Sequence, residues 1–310
     1  MKIYTSVDDF KEVPAPVLTT GTFDGVHLGH RTILNRINHI ASETGGESVL
    51  LTFSPHPRLV LFPEDNDLKL LNTQEEKIRI LEDTGLQHLI IFPFTRAFSR
   101  LSYIEYVRDL LVGKLGMKKL VIGYDHHFGR NREGSYEQLA ELAPLYDFKL
   151  EEIPAQDIDE VNVSSTKIRR ALVSGDVSLA NEYLGYQYPL KGIVIKGKQL
   201  GRSIGFPTAN LGVPDAHKLI PGNGSYAVTA DVEGNLYKGM MNVGVNPTID
   251  SDSPVTKVEV HLFDCTADLY DKVMNVRFVS RLRDEKKFDD LNALRNQLEK
   301  DKEHALRVLV

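Results

Sequence analysis

The stretch PVLTTGTFDGVHLGHRTILNRINHIA, residues 16–41, runs from an apolar β-pattern through a glycine-bearing loop into a helical pattern. Residues 16–20 read as a short buried strand. Ile33, Leu34, Ile37, Ile40 and Ala41 recur at the spacing of one helix face. Further strand candidates at 48–53 (SVLLTF), 88–93 (HLIIFP), 119–123 (KLVIG) and 149–153 (KLEEI) alternate with amphipathic stretches. Two of those stretches open with capping boxes, Thr73-x-x-Glu76 and Ser102-x-x-Glu105. Strand–helix alternation at this spacing predicts a parallel, doubly wound α/β sheet of Rossmann-like type over residues 1–185. Ligands of such sheets sit beyond the carboxyl ends of the strands, where the loop 21–30 leaves the first one.

After Gly185 the rhythm changes. GYQYP reads as a linker, and 186–310 is rich in glycine and in period-two runs: 192–195, 226–232, 236–243, 258–263 and 276–282. Gly234-Asn235 marks a hairpin turn. Phe288, Leu291, Leu294 and Leu298 give the chain a closing helix over 288–308. A small antiparallel β-barrel with a C-terminal helix is expected.

Composition bounds the function. Of 310 residues 42% are hydrophobic and 26% charged, values typical of a globular protein that is not membrane-embedded. A net charge of −6 argues against nucleic acid as the main partner but leaves room for a local phosphate pocket. No run approaches the roughly 18 apolar residues of a membrane span, and MKIYTSVDDFKEV lacks a signal-peptide core. The expectation is a cytoplasmic protein of undetermined oligomeric state. Cys265, the only cysteine, excludes an intramolecular disulfide and a multi-cysteine metal site.

His-x-Gly-His should arise by chance in roughly one such chain in forty, so its context carries the weight. Gly21, Gly25 and Gly29 let the backbone turn and approach a ligand. His30 opens a helix whose first amides are unpaired and partially positive. Two imidazoles beside such amides suit a phosphate that gains negative charge. The plainer alternatives are two surface histidines on a turn, or a metal site that lacks a third ligand. VNVSSTKIRRAL (161–172) supplies a second cradle: Ser164, Ser165 and Thr166 at a helix start, with Lys167 and Arg169 in its first turn. Neither G-x-x-x-x-G-K-[ST] nor G-x-G-x-x-G occurs in the chain.

Together, HLGH and SSTKIR resemble the signature of the nucleotidylyltransferase superfamily. TFSPHP (52–57), FSRLSYIEYV (98–107) and GYDHHFG (123–129) narrow this, because they look like the adenylyltransferase module of bacterial bifunctional riboflavin kinase/FMN adenylyltransferases. GKQLGRSIGFPTANL (197–211), GSYAV (224–228), NVGVNPTI (242–249), VEVHLFD (258–264) and RLRDEKKFDDLNAL (281–294) resemble the riboflavin kinase module in order and spacing. The resemblance implies an FMN adenylyltransferase domain over 1–185 and a riboflavin kinase barrel over 186–310. It further implies ATP, riboflavin and FMN as substrates, and Mg²⁺ or a similar divalent cation as cofactor.

The two reactions make different demands. In adenylyl transfer the FMN phosphate is already anionic, so alignment and charge stabilisation suffice. The resemblance gives His27 and His30 that role. Gly21, Phe23, Asp24, Gly29, Ser164, Ser165, Thr166 and Arg169 would contact ATP, and Phe53, Pro55, Pro57 and Asp125 the flavin. The kinase starts from a neutral alcohol, where a base helps. Val258, Val260 and Leu262 alternate on one strand face, so Glu259 faces the other way with His261; by resemblance Glu259 is the base. Gly197, Gly201, Arg202 and Gly205 would form the phosphate loop. Thr208 and Asn210 would offer oxygens to the metal, and Arg283 would border the flavin. Two departures stand out: His126-His127 where the family pattern has Phe-Arg, and Asn246 where it has Arg.

Two rivals remain at this stage. One is a nucleotidylyltransferase for another phosphate with a merely flavin-binding barrel, and the other is a flavin sensor without catalysis. PTAN together with Glu259 argues against both, since a binding barrel needs no base.

Overall fold

A computed structural model describes residues 1–64, 67–124, 126–154, 163–197, 200–246 and 255–309. The chain divides into two compact units, Met1–Ser164 and Ser165–Val310.

The first unit is a six-stranded sheet of β1 (Lys2–Tyr4), β2 (Val17–Thr20), β3 (Ser48–Ser54), β4 (His88–Pro93), β5 (Lys119–Gly123) and β6 (Lys149–Ile153). The order is β1-β4-β3-β2-β5-β6, and the pairings are parallel. The five strands expected from the apolar runs form. The three-residue edge strand β1, largely exposed, carries no apolar pattern that would reveal it. Central strands read as continuous apolar runs because both faces are covered. Leu18, Val49, Leu51 and Leu120 pack on one side, and Val17, Leu50, Leu89 and Val121 on the other.

Helix α1 (Leu28–Thr44) buries Leu34, Ile37, Ile40 and Ala41 and stops at Gly45, whose φ is 63°. After α2 (Pro57–Leu61) come α3 (Gln74–Glu82) and α4 (Tyr103–Glu105), both with reciprocal capping boxes as their sequences predict. Beyond α4 the helix runs on with π-type bonding over Tyr106–Lys114, and α5 (Tyr136–Leu142) follows. The chain moves from β2 outward through β3 and β4, then returns to place β5 on the other side of β2. The carboxyl ends of β2 and β5 therefore flank the topological switch point.

The second unit opens with α6 (Ser165–Val173) and α7 (Val177–Leu184) and closes with α9 (Leu291–Val308). Between them lie β7 (Pro189–Ile195), α8 (Leu200–Ser203), β8 (Ala209–Gly212), β9 (Gly224–Val232), β10 (Asn235–Asn246), β11 (Val255–Leu262) and β12 (Val273–Arg283). The six strands close a barrel in the order β10-β11-β8-β7-β12-β9. The β9–β10 turn is Glu233-Gly234, both at positive φ (53° and 84°), one residue before the expected pair; Asn235 already lies opposite Val232 in the ladder. GYQYP is packed rather than loose: Tyr188 is fully buried and its hydroxyl donates to Leu219 O at 2.7 Å. Helices α6 and α7 are tied to the barrel through main-chain groups. Gly222 N–H donates to Leu172 O at 2.8 Å, Arg281 to Ser174 O at 3.0 Å, and Asn181 to Phe278 O at 2.9 Å.

Candidate active sites

In the first unit the loop from β2 into α1 occupies the switch point. Phe23, Gly25 and Val26 all have positive φ (47°, 88° and 36°). For a bulky and a β-branched residue this conformation costs of order 1–3 kcal/mol each and persists only where surroundings enforce it. Two buried charged groups do so. Asp24 accepts from the Leu71 amide at 3.0 Å and the Asn72 amide at 3.4 Å, and Lys77 Nζ donates to Thr22 O at 2.8 Å. Burial lowers the Lys77 pKa, with Asp24 pulling the other way.

His27 caps α1, its Nδ1 accepting from the His30 amide at 3.4 Å. A neutral His27 in this geometry carries its proton on Nε2. The His27 and His30 rings stack with centroids 3.7 Å apart, and Phe23 stacks on His30 at 4.6 Å. His30 is held well below the ordinary histidine pKa by burial first, then by His27 and Lys77. Its Nδ1 is buried without a hydrogen-bond partner among the described residues. The pair is thus a compact imidazole stack at a helix N-terminus, with burial disfavouring a proton charge on its His30 ring. Gly21 lies against the Phe23 ring, and Gly29 is buried in the first turn of α1.

Phe53, the penultimate residue of β3, begins an aromatic row that continues through Phe98 (5.7 Å), Tyr106 (5.9 Å) and Phe128 (5.5 Å). The Tyr106 hydroxyl is 2.7 Å from Thr20 Oγ1 at the end of β2, so this row also reaches the switch point. Pro55 is exposed and Pro57 is the first residue of α2. Asp125 lies outside the described residues. His126 stacks on Phe128 at 5.7 Å; its Nε2 is buried without a hydrogen-bond partner among the described residues, and burial lowers its pKa to about 4. Ser164 precedes α6 and Ser165 begins it. Thr166 and Lys167 are exposed and Arg169 half-buried, while Ile168, Ala171 and Leu172 face inward.

In the barrel, successive register partners align Asn210 (β8), Glu259 (β11), Asn242 (β10), Ser225 (β9) and Arg283 (β12). Register partners project to one face. Val258, Val260 and Leu262 are buried on the opposite one, as the alternation predicts. Lys257, one pleat before Glu259, places Nζ 2.6 Å from Glu259 Oε1. Of the phosphate-loop candidates, Gly197 lies against this row, where a Cβ would run into the Asn210 amide, while a Cβ at Gly201 would run into the Phe206 carbonyl. Gly205 sits at φ 85°, Arg202 is exposed, and Thr208 is half-buried. His261 is buried, with Nδ1 2.7 Å from Pro207 O; burial lowers its pKa.

Arg283 is committed to α9. Its Nε is 2.8 Å from Asp301 Oδ2, and Asp301 is buried and also accepts from Gln297. The Asn246 side chain lies outside the described residues. Among the described residues no group of three or more His, Cys, Asp or Glu could hold a metal. The donor set at Thr208 and Asn210, two neutral oxygens near a carboxylate, fits a hard cation that takes its remaining oxygens from substrate phosphates.

Sequence reasoning missed Lys77, Asn242, Lys257 and the aromatic row beyond Phe53. Only Lys77 left a signal, as a lysine four residues before the buried Leu81 on one helix face.

Comparison with known proteins completes this picture. The FAD synthetase family model matches residues 10–167 and the riboflavin kinase model residues 184–309. The chain is 36% identical to the bifunctional riboflavin kinase/FMN adenylyltransferase of Bacillus subtilis, over 96% of this chain and 93% of that one. It is 34% identical to its counterpart in Escherichia coli K12, over 97% and 96%. A crystal structure from Streptococcus pneumoniae, described as a macrolide-efflux protein, superposes with a TM-score of 0.88 at 30% identity over 97% of both chains. Among the described residues here, no helix is long and apolar enough to cross a membrane.

Proposed function

The chain belongs to the bifunctional riboflavin kinase/FMN adenylyltransferase family, and from that premise we propose which of its residues carry each step. The enzyme makes FAD from riboflavin: ATP phosphorylates riboflavin to FMN, and a second ATP adenylylates FMN. We assign adenylyl transfer to residues 1–185 and the kinase to 186–310. This functional division differs from the compact one, since α6 bears the SSTKIR segment.

In adenylyl transfer an FMN phosphate oxygen attacks the α-phosphorus of ATP and pyrophosphate departs. His27 and His30 act as donors to the non-bridging oxygens rather than as bases, and α1 adds its unpaired amides. Gly21, Phe23, Asp24 and Gly29 shape the loop against ATP. Ser164, Ser165, Thr166 and Arg169 hold the leaving pyrophosphate. Phe53, Pro55, Pro57 and Asp125 receive the flavin. The observation that carries this reading is the His27–His30 stack at the switch point, with the His30 ring kept from charging by burial, because a site for growing negative charge profits from fixed dipoles already in position.

In the kinase reaction the riboflavin 5′-hydroxyl attacks the γ-phosphorus, its proton passes to Glu259, and ADP leaves. Gly197, Gly201, Arg202 and Gly205 enclose the phosphates. Thr208 and Asn210 would hold Mg²⁺, which when bound neutralises phosphate charge. Arg283 supports the flavin side through α9. We also propose that the protein works in the cytoplasm, where its substrates are small soluble molecules.

The test is a product time course with purified protein, riboflavin, ATP and Mg²⁺. FMN followed by FAD is expected. FMN alone, even when FMN is supplied directly, would overturn the adenylyl assignment.

A further inference from the structure

We propose that His261 is a positioning residue for the kinase step: its hydrogen bond to the Pro207 carbonyl fixes the Thr208–Asn210 segment against the strand that carries Glu259. The inference rests on the assignment of those residues to the kinase site.

The β8–β11 ladder pairs Asn210 with Glu259 and Ala209 with Val260, then stops. The next rung would join Thr208 to His261, but the chain turns away at Pro207, a residue with no N–H to offer. The His261 side chain takes the place of that rung, with Nδ1 2.7 Å from Pro207 O across 54 residues of sequence. A carbonyl only accepts, so Nδ1 must carry the proton and donate it. The ring has little freedom to do otherwise. It is buried, edge-on to Phe206 at 5.2 Å and to Phe263 at 5.7 Å, and both phenylalanines share a buried cluster with Ala305 of α9 and with Leu309 just beyond that helix.

One bond therefore couples two parts of the site. On its own strand His261 stands one pleat from Glu259, on the same face. Across the gap it holds the peptide that leads directly into Thr208. Phe206 N–H donates back to Gly201 O at 2.9 Å, so the phosphate loop is drawn to the same point. Freed from His261, Thr208 would keep its hydroxyl and lose its fixed distance to the base. Displacements of about 1 Å at a reacting centre can cost roughly a hundredfold in rate.

Three full-length variants test this. His261→Asn keeps an N–H close to the Nδ1 position, His261→Gln moves it one bond outward, and His261→Phe keeps ring volume without a donor. Riboflavin kinase kcat and KM for ATP are measured across a Mg²⁺ titration, with thermal unfolding of each variant alongside. FMN adenylylation from supplied FMN serves as the internal control. We expect His261→Gln and His261→Phe to lose about tenfold to a hundredfold in kinase kcat/KM and to need more Mg²⁺ for half-maximal rate. His261→Asn should stay within about threefold, and adenylylation should be unchanged in all three. Equal losses in His261→Asn and His261→Gln would overturn the proposal, because packing and not the bond would then matter; so would a folded His261→Phe with normal kinase parameters. Glu259→Gln, run in parallel, keeps the underlying reading separate. Full kinase activity in that variant would remove the base assignment, and this inference with it, whatever the His261 series shows.

Discussion

Glu259 on β11 lies directly opposite Asn210 on β8, and on its other side directly opposite Asn242 on β10. Its carboxylate thus stands between two amide-bearing register partners, half-buried, with Lys257 Nζ at 2.6 Å. Glu259→Gln preserves the shape and removes the base. The variant should lose FMN synthesis while still forming FAD from supplied FMN, as read by chromatographic separation of flavins. Loss of both activities in a folded variant would contradict separate sites.

His30→Ala removes one face of the imidazole stack and a donor at the α1 N-terminus. FAD synthesis should fall by roughly 10²–10³, the usual consequence of losing one preorganised donor, while FMN synthesis persists. A steady-state assay of each half-reaction decides it. Normal FAD synthesis would sink the donor role.

His126 couples stability to acid. Its pKa falls from 6.5 to about 4 in the folded chain because burial disfavours the charged ring. Between those values the unfolded chain binds more protons, so stability declines as pH drops below 6.5 and the decline levels off near 4. Burial of His30 acts in the same direction. His126→Phe removes a buried nitrogen that has no partner among the described residues. It should add about 1 kcal/mol and make the fall in melting temperature between neutral and acidic pH shallower. An unchanged slope would exclude His126 as its source.

Arg283 and Asp301 form an ion pair that is largely buried, with Asp301 4% and Arg283 19% exposed. Breaking one side leaves an uncompensated charge and should cost about 3 kcal/mol. Asp301→Ala is expected to lower the denaturation midpoint of the barrel and reduce kinase activity. Adenylylation of supplied FMN gives the contrast.

The α/β half was legible because strands covered on both faces spell themselves as apolar runs, and because Thr73 and Ser102 announce their helices. What stayed hidden depends on partners far away in sequence. The edge strand Lys2–Tyr4 is recognisable only beside β4, and half of PTAN is strand because Ala209 and Asn210 pair with β11. Site legibility follows the same division. The histidines, the glycine loop and Glu259 are marked by residue type at fixed spacing. Asn242 matters only through the register that sets it opposite Glu259, and Lys257 only through the pleat that puts it on the same face of β11. The helices α6 and α7 follow the α/β rhythm in sequence, yet their carbonyls and amides are bonded to the barrel.

That last attachment bears on inheritance. A kinase gene cut at the change of rhythm, near residue 186, would leave Gly222 without its Leu172 acceptor and Arg281 without Ser174. Tyr188 would lose the Asn181 side chain that receives its amide. A cut ahead of Ser165 severs none of these bonds. Recombination that respects the fold therefore carries the SSTKIR helix along with the kinase, and under the residue assignment proposed above the two reactions would be passed on as a single hereditary piece.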